Sequence, residues 1–213
     1  MKKSDLIKEL KNSNIGANFI DTLKIRYRPL ICPIVELISE VKDNESVFDI
    51  GCGNGQFAYL LNKYKKLNLL KGIDITPNLI TNANLLFDGV HKNENVIFEV
   101  YDGCVFPHDM RNYDVIFLID VLHHVDPELQ IDFLKKIYES MSVGSRLILK
   151  DINASSPFVV FNKIHDLVFS GEVGKERGKN WLIEKLSTIG FSIMKVETKQ
   201  MFVYPHVTFI CVK

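Results

Sequence analysis

Short β-branched apolar runs alternate along this chain with longer stretches of helical period, and that rhythm leaves few folds open. "SVFDI" (46–50), "LLKGIDI" (69–75), "VIFEVY" (96–101), "YDVIFLI" (113–119) and "SRLILKDI" (145–152) each read as a buried strand. Between them, "QFAYLLNKYKK", "PNLITNANLLF" and "PELQIDFLKKIYESM" repeat apolar residues at helical spacing. Pro77 and Pro127 stand where a first helical turn tolerates proline, with Thr76 and Asp126 as N-caps. Strands joined by helical crossovers pair in parallel, so an α/β fold is expected, with helices on both faces of a mostly parallel sheet. The tail breaks the rhythm. "FSIMKVETKQMFVY" and "PHVTFICVK" are strand-like with no helix between them, which predicts an antiparallel C-terminal strand pair. Residues 1–43, including the run from Pro33 to Val41, read as an N-terminal helical cap, and "SPFVVFNKIHDLVFSG" (156–171) as an additional helix before the one around Trp181. A chain of 213 residues, 46% hydrophobic, fills one domain. Its expected parts are the cap (1–43), a core (44–152), a cover (153–189) and the terminal pair (190–213).

The 26 basic and 26 acidic residues balance, so no global field draws the chain to a polyanion, and no nucleic-acid partner is expected. Cys32, Cys52, Cys104 and Cys211 lack paired or metal-type spacing and read as reduced thiols. In "MKKSDLIKEL" charges interrupt any signal-peptide core, and the longest apolar run, "VIFLI" (115–119), falls far short of a membrane span. A cytoplasmic protein is expected.

"DIGCGNG" (49–55) places Gly51, Gly53 and Gly55 directly after the first strand. A P-loop is excluded, because Gly55 is followed by Gln56 and Phe57 rather than by Lys and Ser or Thr. A dinucleotide loop has the spacing GxGxxG, whereas this one is GxGxG. Asp49, two residues before Gly51, would repel pyrophosphate but suits a ligand bearing ammonium or sulfonium. Asp74 ends the second strand, 21 residues beyond Gly53, where a carboxylate can accept both ribose hydroxyls. Asp102, at the end of the third strand, can accept from an adenine amino group. Taken singly, each carboxylate reads better as a loop or helix cap. Three at successive strand ends beside a glycine loop favour a ligand.

"VFDIGCGNGQF", "GIDITPNLI", "VYDG" and "YDVIFLIDVLHHVDP", in that order, resemble the ordered motifs of class I S-adenosylmethionine-dependent methyltransferases of the small-molecule type. The resemblance runs from about residue 44 to 152. It implies a Rossmann-like, seven-stranded sheet that includes the terminal pair. It also implies S-adenosylmethionine as cofactor and S-adenosylhomocysteine as product. The loop 51–55, with Cys52 in it, would pass the methionyl portion. Asp74 would hold the ribose, Ile75 would lie on the adenine, and Asp102 with Gly103 would meet its amino group. Asp120 would lie beside the cofactor's own amino group.

Methyl transfer from sulfonium is an in-line displacement, so the protein chiefly aligns the partners and excludes water. A general base is needed only where the acceptor loses a proton near the transition state. His123 and His124 follow the fourth strand, and only one of two adjacent helical residues can face the acceptor; His124 is the preferred candidate, with a packing or capping histidine as the other reading. His165 and Asp166 form a second candidate pair on a helix whose Val160, Ile164, Leu167 and Val168 make an apolar face, and an amphipathic cover helix accounts for it equally well. In "KIRYRP" an arginine, Arg28 above all, could pair with the methionyl carboxylate or simply sit in a solvated turn. The glycine- and charge-rich "GEVGKERGK" (171–179) reads as a mobile loop closing over the acceptor, and Trp181 as a helix-packing residue.

No Asn-Pro-Pro-Tyr motif follows the fourth strand, which argues against exocyclic base amines as acceptors. Asp120, Asp151 and Asn153 match only loosely the oxygen ligands of a metal-assisted transfer, and no metal is expected. A small or amphiphilic acceptor fits best, with Phe158 to Phe161 hinting at a lipid-like one. A nicotinamide-dependent oxidoreductase and a non-catalytic cofactor-binding subunit are the alternatives.

Overall fold

A computed structural model describes residues 3–12, 28, 30–88, 95–170 and 173–213. The chain divides into two compact units, residues 1–105 and 106–213.

In the first unit, helices α1 (Lys3–Asn12) and α2 (Ile34–Ser39) precede β1 (Ser46–Ile50). Then come α3 (Gln56–Tyr64), β2 (Leu69–Asp74), α4 (Pro77–Asp88) and β3 (Val96–Val100). The strands lie in the order β3-β2-β1, all parallel. Every residue of β1 is buried, as its unbroken apolar run requires of a strand covered on both sides. On α4 the buried positions Ile80, Ala83, Leu86 and Phe87 recur at the spacing of one helical face. Val47, Phe48, Ile50, Leu60 and Leu61 are completely shielded; each large side chain of this kind contributes roughly 1.5–3 kcal/mol by leaving water.

The second unit holds β4 (Val115–Ile119), α5 (Gln130–Ser140), β5 (Arg146–Ile152), α6 (Val159–Ser170), α7 (Lys179–Ile189), β6 (Ser192–Met201) and β7 (Tyr204–Val212). Short 3-10 turns span His108–Asn112 and Leu122–His124. Strand order is β4-β5-β7-β6; β4 and β5 are parallel, while β7 runs against both β5 and β6. The seven strands, with the expected antiparallel terminal pair, make the mixed Rossmann-like arrangement that the sequence predicts.

Two expectations need correction. β3, expected to be buried, is an edge strand and mostly exposed, as is β6, because each pairs on one side only. α5 begins at Gln130 rather than at Pro127: residues 127–129 form a turn, in which the amides of Leu129 and Gln130 both bond to the Asp126 carbonyl. Of the N-terminal cap, Lys3–Asn12 and Ile34–Ser39 are helical, and residues 13–27 lie outside the described set. All four cysteines are free thiols.

Gly72 explains why the two inner strands of the first unit can approach the loop that follows β1. It is paired with Asp49 on one side and Phe98 on the other. A Cβ there would stand 2.7 Å from Phe98 Cδ1 and 2.8 Å from both Cys52 Cβ and Sγ. Gly72→Ala is therefore expected to cost about 1–3 kcal/mol through overpacking, read as a lowered urea midpoint at unchanged m-value.

Candidate active site

The first unit carries a cradle at the carboxyl ends of its strands, where open α/β sheets place their ligands. Gly51, Gly53 and Gly55 all have left-handed backbone, with φ of 72°, 56° and 74°. Their loop is stitched to β2: the amides of Gly51 and Cys52 donate to the Ile73 carbonyl, at 2.8 and 3.0 Å. At Gly55 a Cβ would meet Ala83 Cβ at 2.9 Å, so that glycine serves close packing onto α4. At Gly53 nothing lies within 4 Å of where a Cβ would be, so the chain's backbone presents an open face there.

Asp74, 8% exposed, is the keystone of this cradle. Its Oδ2 accepts from the Gly53 amide at 3.0 Å and its Oδ1 from the Thr76 amide at 2.9 Å. A carboxylate oxygen can accept more than one bond, so both keep acceptor capacity for a vicinal diol. Ile75, beside it, is 62% exposed, which is unusual for isoleucine. A Cβ on Gly103 would sit 3.5 Å from Ile75 Cγ2, so Gly103 and Ile75 together form an apolar ledge. Asp102 is exposed, and its Oδ1 accepts from the amides of Cys104 and Val105 at 2.8 and 2.9 Å. The loop-capping role is thus real for this residue.

Asp49 is 3% exposed, and burial pushes its carboxyl up to about 7; the Arg28 charge opposes this, and Asp74 adds to it. Burial, with Asp49 and Asp74 nearby, also raises the Cys52 thiol, so that cysteine packs and does not react. Arg28 is half-buried.

In the second unit, charge is collected where β4 and β5 end. Asp120 has φ of 57°, a left-handed conformation rare outside glycine but tolerated by Asp. Lys150, 1% exposed, holds it twice: its carbonyl accepts from the Asp120 amide at 2.9 Å, and its ammonium donates to Asp120 Oδ1 at 2.5 Å. Asp151, the next residue of β5, accepts from the His123 amide (3.2 Å), from His123 Nδ1 (2.5 Å) and from its own neighbour's amide, Ile152 (2.7 Å). His123 is 4% exposed, whereas His124 is exposed, with the ring centroids 4.2 Å apart. Of the two candidate bases, only His124 is open to an acceptor.

Among the described residues, Asp120, His123 and Asp151 are the one group of three whose donor atoms converge, to within 4.8 Å. The positive charge at Asp120 already comes from Lys150, and His123 Nδ1 is turned to Asp151. Asn153 stands apart: its Oδ1 accepts from the amides of Ser155 and Lys179 and so caps the start of α7.

Within the glycine- and charge-rich segment, residues 175–177 are bonded to neighbouring elements, while 171 and 172 lie outside the described set. Gln130, fully buried, donates to the carbonyls of Leu122, Val125 and Lys175 and accepts from Arg177 Nε at 2.5 Å. The Lys175 amide donates to the His123 carbonyl, Lys175 Nζ pairs with Asp126, and the Arg177 guanidinium lies 4.5 Å over Trp181. Composition could not reveal this, because the anchor is 45 residues away. On α6 Asn162 is buried against Glu176, while Val160, Phe161, Ile164 and Leu167 face outward. The side chains of His165 and Asp166 lie outside the described ones. Lys150 and Gln130 were missed from sequence; two charges closing an apolar strand, "LILKDI", were the available signal for Lys150.

Comparison with known proteins agrees with this geometry. The methyltransferase-domain family matches residues 48–147. Phosphoethanolamine N-methyltransferase of Plasmodium falciparum is 30% identical over 66% of this chain and 50% of its own length. 27-O-demethylrifamycin SV methyltransferase of Amycolatopsis mediterranei is 22% identical over 70% and 54%. Other relatives carry the names tRNA U34 carboxymethyltransferase and small RNA 2'-O-methyltransferase. The chain spans about half the length of the first of these curated relatives. A solved structure of magnesium protoporphyrin IX methyltransferase from Synechocystis PCC 6803, with bound SAH, shares the fold at TM-score 0.72 and 18% identity, covering 99% of this chain and 94% of that one. Residues 48–147 are thus similar to the methyltransferase-domain family, and the chain shares the fold of a methyltransferase solved with bound SAH.

The buried Asp49 carboxyl gives a signed pH prediction. Unfolded, the group ionises near 3.8; folded, near 7, so between these values the native state holds the extra proton. Stability therefore falls as pH rises through that window, by roughly 1.4 kcal/mol per unit at most. Asp49→Asn should flatten this slope in urea titrations from pH 4 to 8; an unchanged slope would refute the assignment.

Proposed function

We propose that the chain transfers a methyl group from S-adenosylmethionine to a small or amphiphilic metabolite. The observation that carries the cofactor reading is Asp74, clamped by the Gly53 and Thr76 amides beside the open face of the glycine loop. Its carboxylate accepts the ribose hydroxyls, the Ile75–Gly103 ledge takes the adenine, and Asp102 accepts from the adenine amine. Asp49 offers negative charge to the sulfonium-bearing amino acid and Arg28 takes its carboxylate; Cys52 and the glycines line the loop. When bound, the cofactor supplies an electrophilic methyl group that leaves sulfur with its bonding electron pair behind. His124 takes the acceptor's proton where the acceptor is a hydroxyl. His123, held by Asp151, backs it, and His165 and Asp166 belong to the acceptor-side helix.

The outward apolar face of α6, with Phe158, Phe161 and Ile164 each about half exposed, supports an apolar or amphiphilic acceptor. Equal numbers of acidic and basic residues support it over RNA, the acceptor named for some relatives. No helix among the described residues is long and apolar enough to cross a membrane.

Calorimetry with S-adenosylhomocysteine should give micromolar binding, weakened by Asp74→Ala roughly 100-fold, as expected for losing about 3 kcal/mol of charge-assisted hydrogen bonds. Absence of binding by the unaltered chain would sink the cofactor reading. In an acceptor screen, replacing both Phe161 and Ile164 with Ser should raise KM for amphiphilic acceptors about 10-fold while leaving S-adenosylhomocysteine affinity intact, the loss expected when a few buried methylenes go. Turnover of RNA alone would overturn the acceptor class.

A further inference from the structure

The Glu176 side chain is 0% exposed, yet its two oxygens differ in their surroundings. Oε1 accepts from Asn162 Nδ2 at 2.9 Å. Oε2 is buried and, among the described residues, receives no hydrogen bond. The cation paired with Glu176, Lys163, keeps its Nζ 3.9 Å from Oε2, beyond hydrogen-bond reach, and its side chain is 45% exposed. An ion pair so placed offsets little of the desolvation of a carboxylate. Such an oxygen calls for a donor that the chain itself does not provide. The position of Glu176 is also fixed. On either side of it, the Lys175 amide donates to the His123 carbonyl at 2.8 Å and the Arg177 carbonyl accepts from the Ala154 amide at 3.2 Å. The Glu176 side chain turns to α6, where it meets Asn162, itself buried. Phe158 and Phe161, four and one residues before Asn162, stack with ring centroids 6.3 Å apart, each about half exposed. The start of α6 thus carries both the partner of a buried anion and an open aromatic pair.

We propose that Glu176 recognises the acceptor: Oε2 takes an N–H of an ammonium group, while the Phe158–Phe161 pair receives the acceptor's apolar part. This rests on the amphiphilic-acceptor reading given above and narrows its class to an amphiphilic amine. The subsite belongs wholly to the second unit. An ammonium is favoured over a hydroxyl because it brings a donor together with the charge that Lys163 supplies only from a distance. A quaternary ammonium brings the charge but no donor, and leaves Oε2 as it is. The long, half-exposed Lys163 side chain is the cover that an entering ammonium displaces, one cation exchanging for another. An ordered water on Oε2 is the competing occupant; it would satisfy the oxygen but give Glu176 no preference among ligands.

Calorimetry on the full chain, without cofactor, compares three probes of equal tail: octylammonium, octyltrimethylammonium and octanol, each below the concentration at which it forms micelles. Octylammonium should bind the unaltered chain about 10-fold more tightly than either of the others, as one charge-assisted hydrogen bond provides. Glu176→Gln keeps an oxygen for Asn162 and removes the anion; it should weaken octylammonium about 10-fold and leave octanol within about twofold. Lys163→Ala removes the competing cation and should tighten octylammonium about threefold. Urea unfolding of the same variants separates recognition from structure, because neutralising a buried anion should keep or raise the midpoint in Glu176→Gln. An unchanged preference in Glu176→Gln, a lowered midpoint with equal losses for all three probes, or weaker octylammonium binding in Lys163→Ala would overturn the inference. The probe comparison on the unaltered chain and the Lys163→Ala result stand even where Glu176→Gln fails to fold. If none of the probes binds, the amphiphilic-acceptor reading fails and this inference with it. If octanol and octyltrimethylammonium bind as tightly as octylammonium, only the role of Glu176 falls.

Discussion

A glycine loop with three left-handed residues has no preferred shape of its own, so something outside it must impose one. In this protein that is the Asp74 carboxylate, which takes one amide from the loop and one from the turn leading into α4. The contact joins the end of β2 to the residue whose backbone is most open, and fixes both sides of the cradle with one side chain. Gly72 lets Cys52 and Phe98 close behind it, and Gly55 lets α4 come near. The packing beneath the loop leaves no room for an additional methyl group at either glycine.

The second unit solves a similar problem with charge. Two acidic residues, two histidines and a lysine gather where β4 and β5 end, and each buried member has a partner: Asp120 with Lys150, His123 with Asp151. Gln130 ties the carbonyls of the histidine turn to the segment that follows α6. Two aspartates that would repel one another are each given a counterpart from a neighbouring element. Paired in this way the cluster is tolerable at low exposure, since one buried charge left alone would be expensive. The turn bearing His124 is consequently held from β5, from α5 and from residues 173–178, while His124 itself stays exposed.

Asp49 shows the same economy from the opposite direction. Its strand is buried at every residue, so its carboxyl is pushed toward the neutral form, and Arg28 only partly offsets this. A cationic ligand would supply the charge that the protein withholds.

The strands, the helices between them, the antiparallel terminal pair and the glycine loop with Asp49, Asp74 and Asp102 were all legible in the sequence. Periodicity and strand-end position are local properties, written within a few residues of each feature. β3 misread as buried because an edge strand differs from a central one only in how many neighbours it has. The outward turn of α6's apolar face, the anchoring of residues 173–178 by Gln130, and the partnerships of Lys150 with Asp120 and Asp151 with His123 belong to tertiary structure alone. Each joins residues some 30 to 45 positions apart, or concerns which of two amphipathic faces meets the body of its unit. The sequence by itself determined the order of elements and the chemistry available at their ends. The folded chain decided which of those charges are compensated and which stay ready for a ligand, because charge compensation depends on distance in space and not along the chain.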